Sequence, residues 1–183
     1  VGLAAGVIGV ATFAAFSGTT SSSANSFAAG TVTIGDNDAG SALVSLAAAA
    51  PGSTSTGCIA VTAGGTLDSA VRLYASVSGA LAPYVTLVVT RGTQVTPSFS
   101  SCTGFTPDAT NYAGLGSGVL FSAALSTFPS SYATGIVDPV TATPETWTTG
   151  ETHVYRFDAT LVNDNDAQGK SASASLVWEA QNL

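Results

Sequence analysis

The chain contains one histidine, His153, the residue type best suited to bind a metal or to transfer a proton near neutral pH. It stands two residues after Glu151. A zinc peptidase of the H-E-x-x-H type needs a second histidine, which this chain does not have. The Gly-rich run 114–118 does not match the G-x-S-x-G turn that carries a serine nucleophile. We therefore predict that His153 lies at a strand end beside the Glu151 carboxylate, and that the protein is not an enzyme.

Cys58 and Cys102 are the only cysteines, and their spacing is not that of a C-x-x-C redox or metal motif. In a chain with the composition of an exported protein, two cysteines most simply form one disulfide. Closing a loop of this length would contribute about 4 kcal/mol in the chain-entropy description. Two buried free thiols are the alternative.

Asp164, Asp166 and Gln168, followed by Gly169, place oxygen ligands at alternate positions, as the first half of a calcium-binding loop does. Ser175 stands where such a loop needs its bidentate glutamate. The alternative is a solvated turn held by aspartate side chains. The same two interpretations apply to Asp36 and Asp38, and no other cofactor is expected.

Composition limits the partners of the protein. Only 8% of the 183 residues are charged, the net charge is −7, and the four basic residues are scattered. Nucleic acids and anionic membranes need clustered Lys and Arg, so they are not expected partners. A surface built of Ser, Thr, Gly and Ala is common on exported or polymerising proteins, and we predict an extracellular or cell-surface location.

The hydrophobic pattern from residue 26 onward is that of β-strands, because apolar and polar residues alternate between Gly, Pro, Ser and Asp turns. The predicted strands cover 26–34, 41–46, 58–62, 67–77, 84–90, 119–125, 155–161 and 172–178. The stretch 163–169 predicts a hairpin-like connection between the last two strands. We predict one all-β domain over 26–183, a β-sandwich of the jelly-roll or Greek-key kind with an apolar N-terminal extension.

The N-terminal extension comprises residues 1–16, which are apolar apart from Thr12, and a Ser/Thr-rich linker at 17–25. The apolar run is shorter than the roughly 20 residues of a membrane span, so no span is expected in the assembled form. We predict that it is a donor segment that adds a strand to the next copy of the chain. Its anchoring side chains are Leu3, Val7, Ile8, Val10, Phe13 and Phe16.

Burial of these six side chains would contribute about 9–18 kcal/mol, at about 1.5–3 kcal/mol each. Association costs an estimated 4–15 kcal/mol, so the contact can be durable without a covalent bond. A head-to-tail contact that does not close produces a filament. Two alternatives remain open. One is a helix in a filament core, packed through Gly2 and Gly6. The other is a retained signal-peptide core, or a strand folded back on its own domain.

Both ends of the chain resemble the TasA and camelysin-like proteins. The first segment, 14–34, contains Ala-Phe-Ser and then Asn-Ser-Phe-Ala-Ala-Gly-Thr before a strand, and the second, 155–181, contains two strands around Asn-Asp-Asn-Asp. The segment 58–67 in the middle fits more loosely. The resemblance implies a jelly-roll that is secreted through a dedicated signal peptidase and assembled into extracellular or biofilm-matrix fibres. In that family the cut would fall near 14–15, whereas residues 1–14 are present here.

These observations predict the structural subunit of an extracellular, pilus-like filament that binds copies of itself. A camelysin-like secreted metallopeptidase using His153 is one alternative. A monomeric surface adhesin is the other, with Trp147 in a loop as its candidate sugar-binding residue.

Overall fold

The computed structural model of the protein describes residues 30–46, 50–138 and 145–183. Within these ranges the chain forms strands joined by turns, and its only helices are four single 3₁₀ turns. The strands are β1 Val32–Asp36, β2 Thr54–Gly65, β3 Ser69–Ser78, β4 Val85–Gln94, β5 Phe105–Pro107, β6 Val119–Ala124, β7 Ile136–Val137, β8 Thr152–Leu161 and β9 Ser173–Asn182. The 3₁₀ turns are Ala82–Tyr84, Leu125–Thr127, Tyr132–Thr134 and Asn165–Ala167.

The strands form two sheets in which every neighbouring pair is antiparallel. The larger sheet has the order β1-β2-β8-β4-β5, and β6 also pairs with β4. The smaller sheet has the order β7-β3-β9. The predicted all-β sandwich is confirmed, and its jelly-roll connectivity stays a prediction.

The core lies between the sheets and follows directly from the period of two in the strands. On β8, Tyr155, Phe157 and Ala159 point inward and are buried, as are Val85, Leu87 and Val89 on β4. The smaller sheet contributes Val71, Leu73 and Ala75 from β3. These alternating sets are the ones that the sequence pattern places on the inner faces.

The segment 41–46 is not the strand that the sequence predicts. It runs as irregular chain beside β2, where the backbone N–H of Ser45 donates to the hydroxyl of Ser55 at 3.1 Å. Its apolar side chains, Leu43, Val44 and Leu46, still pack against the core. The apolar side chains of this segment are therefore partly buried, although its backbone forms no ladder of hydrogen bonds with a neighbouring strand.

The predicted hairpin between the last two strands is wrong. β8 lies inside the larger sheet, with β2 on one side and β4 on the other, so both of its edges are occupied. β9 instead pairs with β3 in the smaller sheet. The connection 162–172 crosses from one sheet to the other and does not turn back within one.

One apolar residue of the predicted strand 67–77 lies outside β3 and is more exposed than its spacing predicts. β3 begins at Ser69, and Leu67 before it is 40% exposed, although its spacing predicts the buried face. Trp178 on β9 is half-buried and packs against Tyr155 and Phe157, with ring centroids 5.5 and 6.0 Å from theirs.

Candidate functional site

A groove of about 430 Å³ lies between the two sheets of the sandwich. Its floor is the inner face of the larger sheet, and its walls are β9 and the irregular segment after β1. The floor residues are Ile59, Val85, Leu87, Phe157 and Ala159. The walls are formed by Asp36, Asp38, 40–44, Leu125, 174–176 and Trp178. We call this feature the β9 groove.

A second, smaller hollow of about 190 Å³ continues along the same side of the molecule. It lies between β1, at Ile34 to Asp36, and β9, at Leu176 to Trp178. The two hollows share Asp36, Leu176 and Trp178, so they adjoin each other between β1 and β9. In the described part of the chain the smaller sheet has three strands against six in the larger one, so no fourth strand from these residues covers this side of the larger sheet's inner face.

The described chain begins near the end of the sandwich where β9 ends. Thr31 bonds to Thr66, with its N–H donating to the hydroxyl at 3.0 Å and its carbonyl accepting from the backbone at 2.7 Å. The last strand ends nearby, since Asn182 is opposite Ser69. The groove lies beside the first half of β9, at Ala174 to Trp178, roughly 13–26 Å from Asn182 along the strand.

The closed end of the sandwich holds a buried cluster of charged and polar residues around Arg91, which is 5% exposed. Its Nη1 lies 3.1 Å from a carboxylate oxygen of Asp138 and 2.7 Å from one of Glu145. Its Nη2 lies 2.7 Å from Nδ1 of His153. The hydroxyl of Tyr155 donates to the second oxygen of Asp138. Arg91 and Tyr155 come from the larger sheet and Asp138 follows β7 of the smaller one, so the cluster ties the two sheets together.

The loop 108–118 also contacts the guanidinium group of Arg91. Nε lies 3.4 Å from the carboxylate of Asp108, and the ring of Tyr112 lies 5.8 Å from the guanidinium carbon. The hydroxyl of Tyr112 donates to Asp108 at 2.8 Å. Three carboxylates therefore surround one cation, and the cluster carries excess negative charge.

The prediction for His153 agrees with the geometry, because its Nε2 lies 2.9 Å from a carboxylate oxygen of Glu151. A guanidinium group can only donate, so Nδ1 of His153 accepts from Arg91 and the ring proton is on Nε2, facing Glu151. Trp147 packs on the ring at a centroid distance of 4.4 Å. These contacts describe a structural histidine held on three sides.

Glu145, Glu151 and His153 bring three potential metal-ligand atoms within 4.8 Å of one another. Spacing alone does not reveal this grouping, because Glu145 lies in a Pro-rich loop outside β8. However, Arg91 already supplies the positive charge between these side chains, at 2.7 Å from both Glu145 and His153. A metal ion there would lie against the guanidinium group and would have to displace it. The set does not fit a metallopeptidase centre.

The surroundings shift the pKa values in this cluster. Burial raises the pKa of Asp138, against the opposing effects of Arg91 and of the Tyr155 hydroxyl. Burial alone would lower the pKa of Arg91, but the carboxylates of Asp138 and Glu145 outweigh it and raise that pKa. Burial also raises the pKa of Tyr155 well above its ordinary value.

The pKa of Glu151 is lowered, although partial burial by itself would raise it. The backbone N–H of Thr148 donates to its carboxylate at 2.8 Å, and His153 donates to the other oxygen. Both bonds stabilise the ionised form.

Trp147 is completely buried, at 0% exposure, and its backbone pairs with Ser69. The suggestion that it is an exposed sugar-binding residue is therefore wrong. The indole ring is covered because the backbone of Trp147 pairs with Ser69, the first residue of β3, and the ring packs on the imidazole of His153.

The candidate calcium ligands lie in a tight turn. The carboxylate of Asp164 accepts the backbone N–H of Asp166 at 2.8 Å and caps the 3₁₀ turn 165–167. The amide of Gln168 reaches Asn165 at 3.4 Å. Asp36 and Asp38 accept backbone N–H groups in the same manner. This geometry agrees with the turn interpretation, and calcium binding stays a prediction.

Cys58 and Cys102 form a disulfide, as predicted, with their Cα atoms 5.1 Å apart. It holds the 95–118 segment against the larger sheet, where Ser100 exchanges two backbone hydrogen bonds with Cys58 at 3.0 and 3.4 Å.

The donor-segment prediction concerns Leu3, Val7, Ile8, Val10, Phe13 and Phe16, all of which lie outside the described residues. The structure instead describes a surface that such a segment would need, the β9 groove. No local sequence pattern locates this groove, because its position depends on which edge strand pairs on one side only.

No protein-family model matches the chain, and no curated protein matches it in sequence. The resemblance to TasA and camelysin-like proteins stays a prediction. In the part of the chain that the structure describes, no helix is long and apolar enough to cross a bilayer.

Proposed function

We propose that the protein is the structural subunit of an extracellular filament, in which residues 1–16 of one copy insert into the β9 groove of the next. The observation that carries this proposal is the groove itself. It is a long, apolar cleft between two sheets, with core residues such as Ile59, Leu87 and Phe157 at its floor. An extended, uncharged segment is the complementary ligand for such a cleft.

The positions of the two parts support head-to-tail assembly. The described chain begins at Gly30, next to the Thr31–Thr66 bond, whereas the groove runs along the first half of β9, from Ala174 to Trp178. A contact that joins one end of a subunit to the opposite end of the next is heterologous, and it repeats as an open filament unless its rotation closes a ring. Successive copies would therefore form a filament in preference to a symmetric dimer.

Polymerisation tests the proposal. Deletion of residues 1–16 is expected to abolish filaments in negative-stain microscopy and to leave a monomer in sedimentation. Substitution of Val7 and Val10 by Asp should give the same result, because the two positions lie on opposite faces of a strand, so either face that enters the groove would bury one unpaired charge. Substitution of Thr19 and Ser22 in the linker by Asp is the matched control, and it should leave assembly intact. Filaments that persist after the deletion would contradict the proposal.

A further inference from the structure

We propose that the inserted segment pairs with the free edge of β9 and becomes the fourth strand of the smaller sheet, an inference that rests on the proposed function. Among the described residues β9 pairs with β3 on one side only, and it is ten residues long. Long free edges present unpaired N–H and C=O groups that accept a further strand.

The hydrogen-bond pattern of β3 shows which backbone groups of β9 are free. Ser69 exchanges backbone bonds with Trp147, and the N–H of Ala75 donates to Pro129 at 2.8 Å, so these β3 residues point away from β9. In an antiparallel pair, directly opposed residues either both bond to each other or both point away. Leu176 is opposite Ala75, and its N–H and C=O therefore face the free edge.

The same alternation applies along the whole of β9. The backbone groups that face the free edge belong to Ala174, Leu176, Trp178 and Ala180, each opposite an odd-numbered residue of β3. Three of these residues, Ala174, Leu176 and Trp178, also line the β9 groove. The free hydrogen-bonding edge and the apolar cleft therefore coincide, so one inserted strand would satisfy both.

The other edge strand of this side, β1, is a poorer acceptor. It has five residues and ends in Gly35 and Asp36, and the chain continues directly into the irregular segment beside β2. β9 contains no proline, and Glu179, its only charged residue, accepts a hydrogen bond from Tyr74 on the neighbouring strand at 2.7 Å. Charge and proline are the usual protection of an edge, and β9 carries little of either.

The occupant is residues 1–16 of a second copy. Twenty-nine residues precede the described part of the chain, and the first sixteen are apolar with no charge, long enough to follow all ten residues of β9. The acidic side chains at the groove rim, Asp36 and Asp38, would repel an acidic peptide but not this one.

Proline substitution separates the two edges in the full-length chain. Ala174→Pro removes an N–H that makes no bond within the smaller sheet, so the subunit should keep its melting temperature. An added strand would lose its partner at that position, and the concentration needed for assembly should rise about tenfold. Val32→Pro is the matched control on β1. Ala63 of β2 bonds away from β1, to Gly150 and Glu151, so Ile34 opposite it has its N–H on the outer edge of β1. Val32 is two residues from Ile34 and has the same orientation, so the substitution removes an N–H that makes no bond to β2. It should assemble at the parent concentration.

The outcomes distinguish this inference from the proposed function. If Ala174→Pro assembles like the parent while deletion of residues 1–16 abolishes filaments, the segment binds elsewhere and only this inference fails. If Val32→Pro blocks assembly as strongly as Ala174→Pro, the β9 edge is not the specific acceptor and the inference also fails. If the deletion leaves filaments intact, the proposed function itself is wrong. If Ala174→Pro fails to fold, as shown by loss of its melting transition, Ala180→Pro replaces it in the test. This variant removes another free-edge N–H of β9, the third along the strand from Ala174, and should also raise the concentration needed for assembly.

Discussion

At the scale of single residues, the charged cluster has a structural role. Arg91 and Asp138 are almost fully buried, and a buried charge is tolerated only when its partners are in place. The cluster joins β4 and β8 of one sheet to the residue that follows β7 of the other. It fixes how the sheets are aligned at the closed end of the sandwich.

Arg91→Met should lower the free energy of unfolding by about 3–5 kcal/mol, because it leaves Asp138 and Glu145 without their cation. Urea denaturation measures this difference. Arg156→Met is the matched control: Arg156 forms an ion pair with Asp158 at 2.8 Å but is 36% exposed, and exposed pairs contribute up to about 1 kcal/mol. Equal losses of unfolding free energy in the two variants would show that the buried cluster contributes no more stability than an exposed ion pair.

The lowered pKa of Glu151 predicts a pH dependence. Since this pKa is lower in the folded state, the carboxylate adds stability above its unfolded pKa of about 4.3, and that stability is lost as the pH falls through the folded pKa. Glu151→Gln should therefore be less stable than the parent near neutral pH, and the difference should shrink as the pH falls through the lowered pKa of Glu151. Denaturation at a series of pH values tests this. A difference that stays constant across the range would contradict the assigned role of Glu151.

At the scale of strands and loops, the disulfide holds the segment 95–118 in place with a stability that the packing around it does not supply. The segment 95–118 crosses the outside of the larger sheet, where Phe105, Cys58 and Val154 form a small apolar cluster. A cluster of that size cannot by itself offset the entropy of ordering such a long loop.

Replacing both Cys58 and Cys102 by Ser should therefore lower the unfolding free energy by about 4 kcal/mol, for a cross-link that closes a separation of 44 residues. The backbone N–H of Ser100, which donates to Cys58, should lose protection in hydrogen exchange. The core N–H of Val89 on β4 serves as an internal control. Unchanged stability and unchanged exchange at Ser100 would show that the loop is held by its other contacts.

A structural feature can be predicted from the sequence when the residues that determine it are close together in the chain. The inner faces of β3, β4 and β8 appear in the alternation of neighbouring residues, so the strands were predictable. The pairing of β9 with β3 was not, because Asn163 to Gly169 has turn composition whether the chain turns back or crosses to another sheet. Arg91 and Asp138 are 47 residues apart, and no local pattern connects them.

At the scale of the whole molecule, the sandwich is unequal. Among the residues that the structure describes, six strands form one sheet and three form the other, so these three leave apolar residues of the larger sheet bordering the β9 groove. A fourth strand beside β9 would cover these residues. We expect the assembled protein to be much harder to unfold than the free subunit, because the inserted segment binds only the folded subunit and so raises its free energy of unfolding.

The most direct test of this account is a cysteine cross-link between the two parts. Ala174→Cys is combined with single cysteines at positions 7 to 12, and the filaments are oxidised and run on a denaturing gel without reductant. We predict a ladder of covalent oligomers that is strong for cysteines at alternate positions, because every second side chain of an inserted strand faces the groove. A cross-linked monomer would contradict the account, since it would mean that the segment lies in the groove of its own domain, and so would no cross-link at any position.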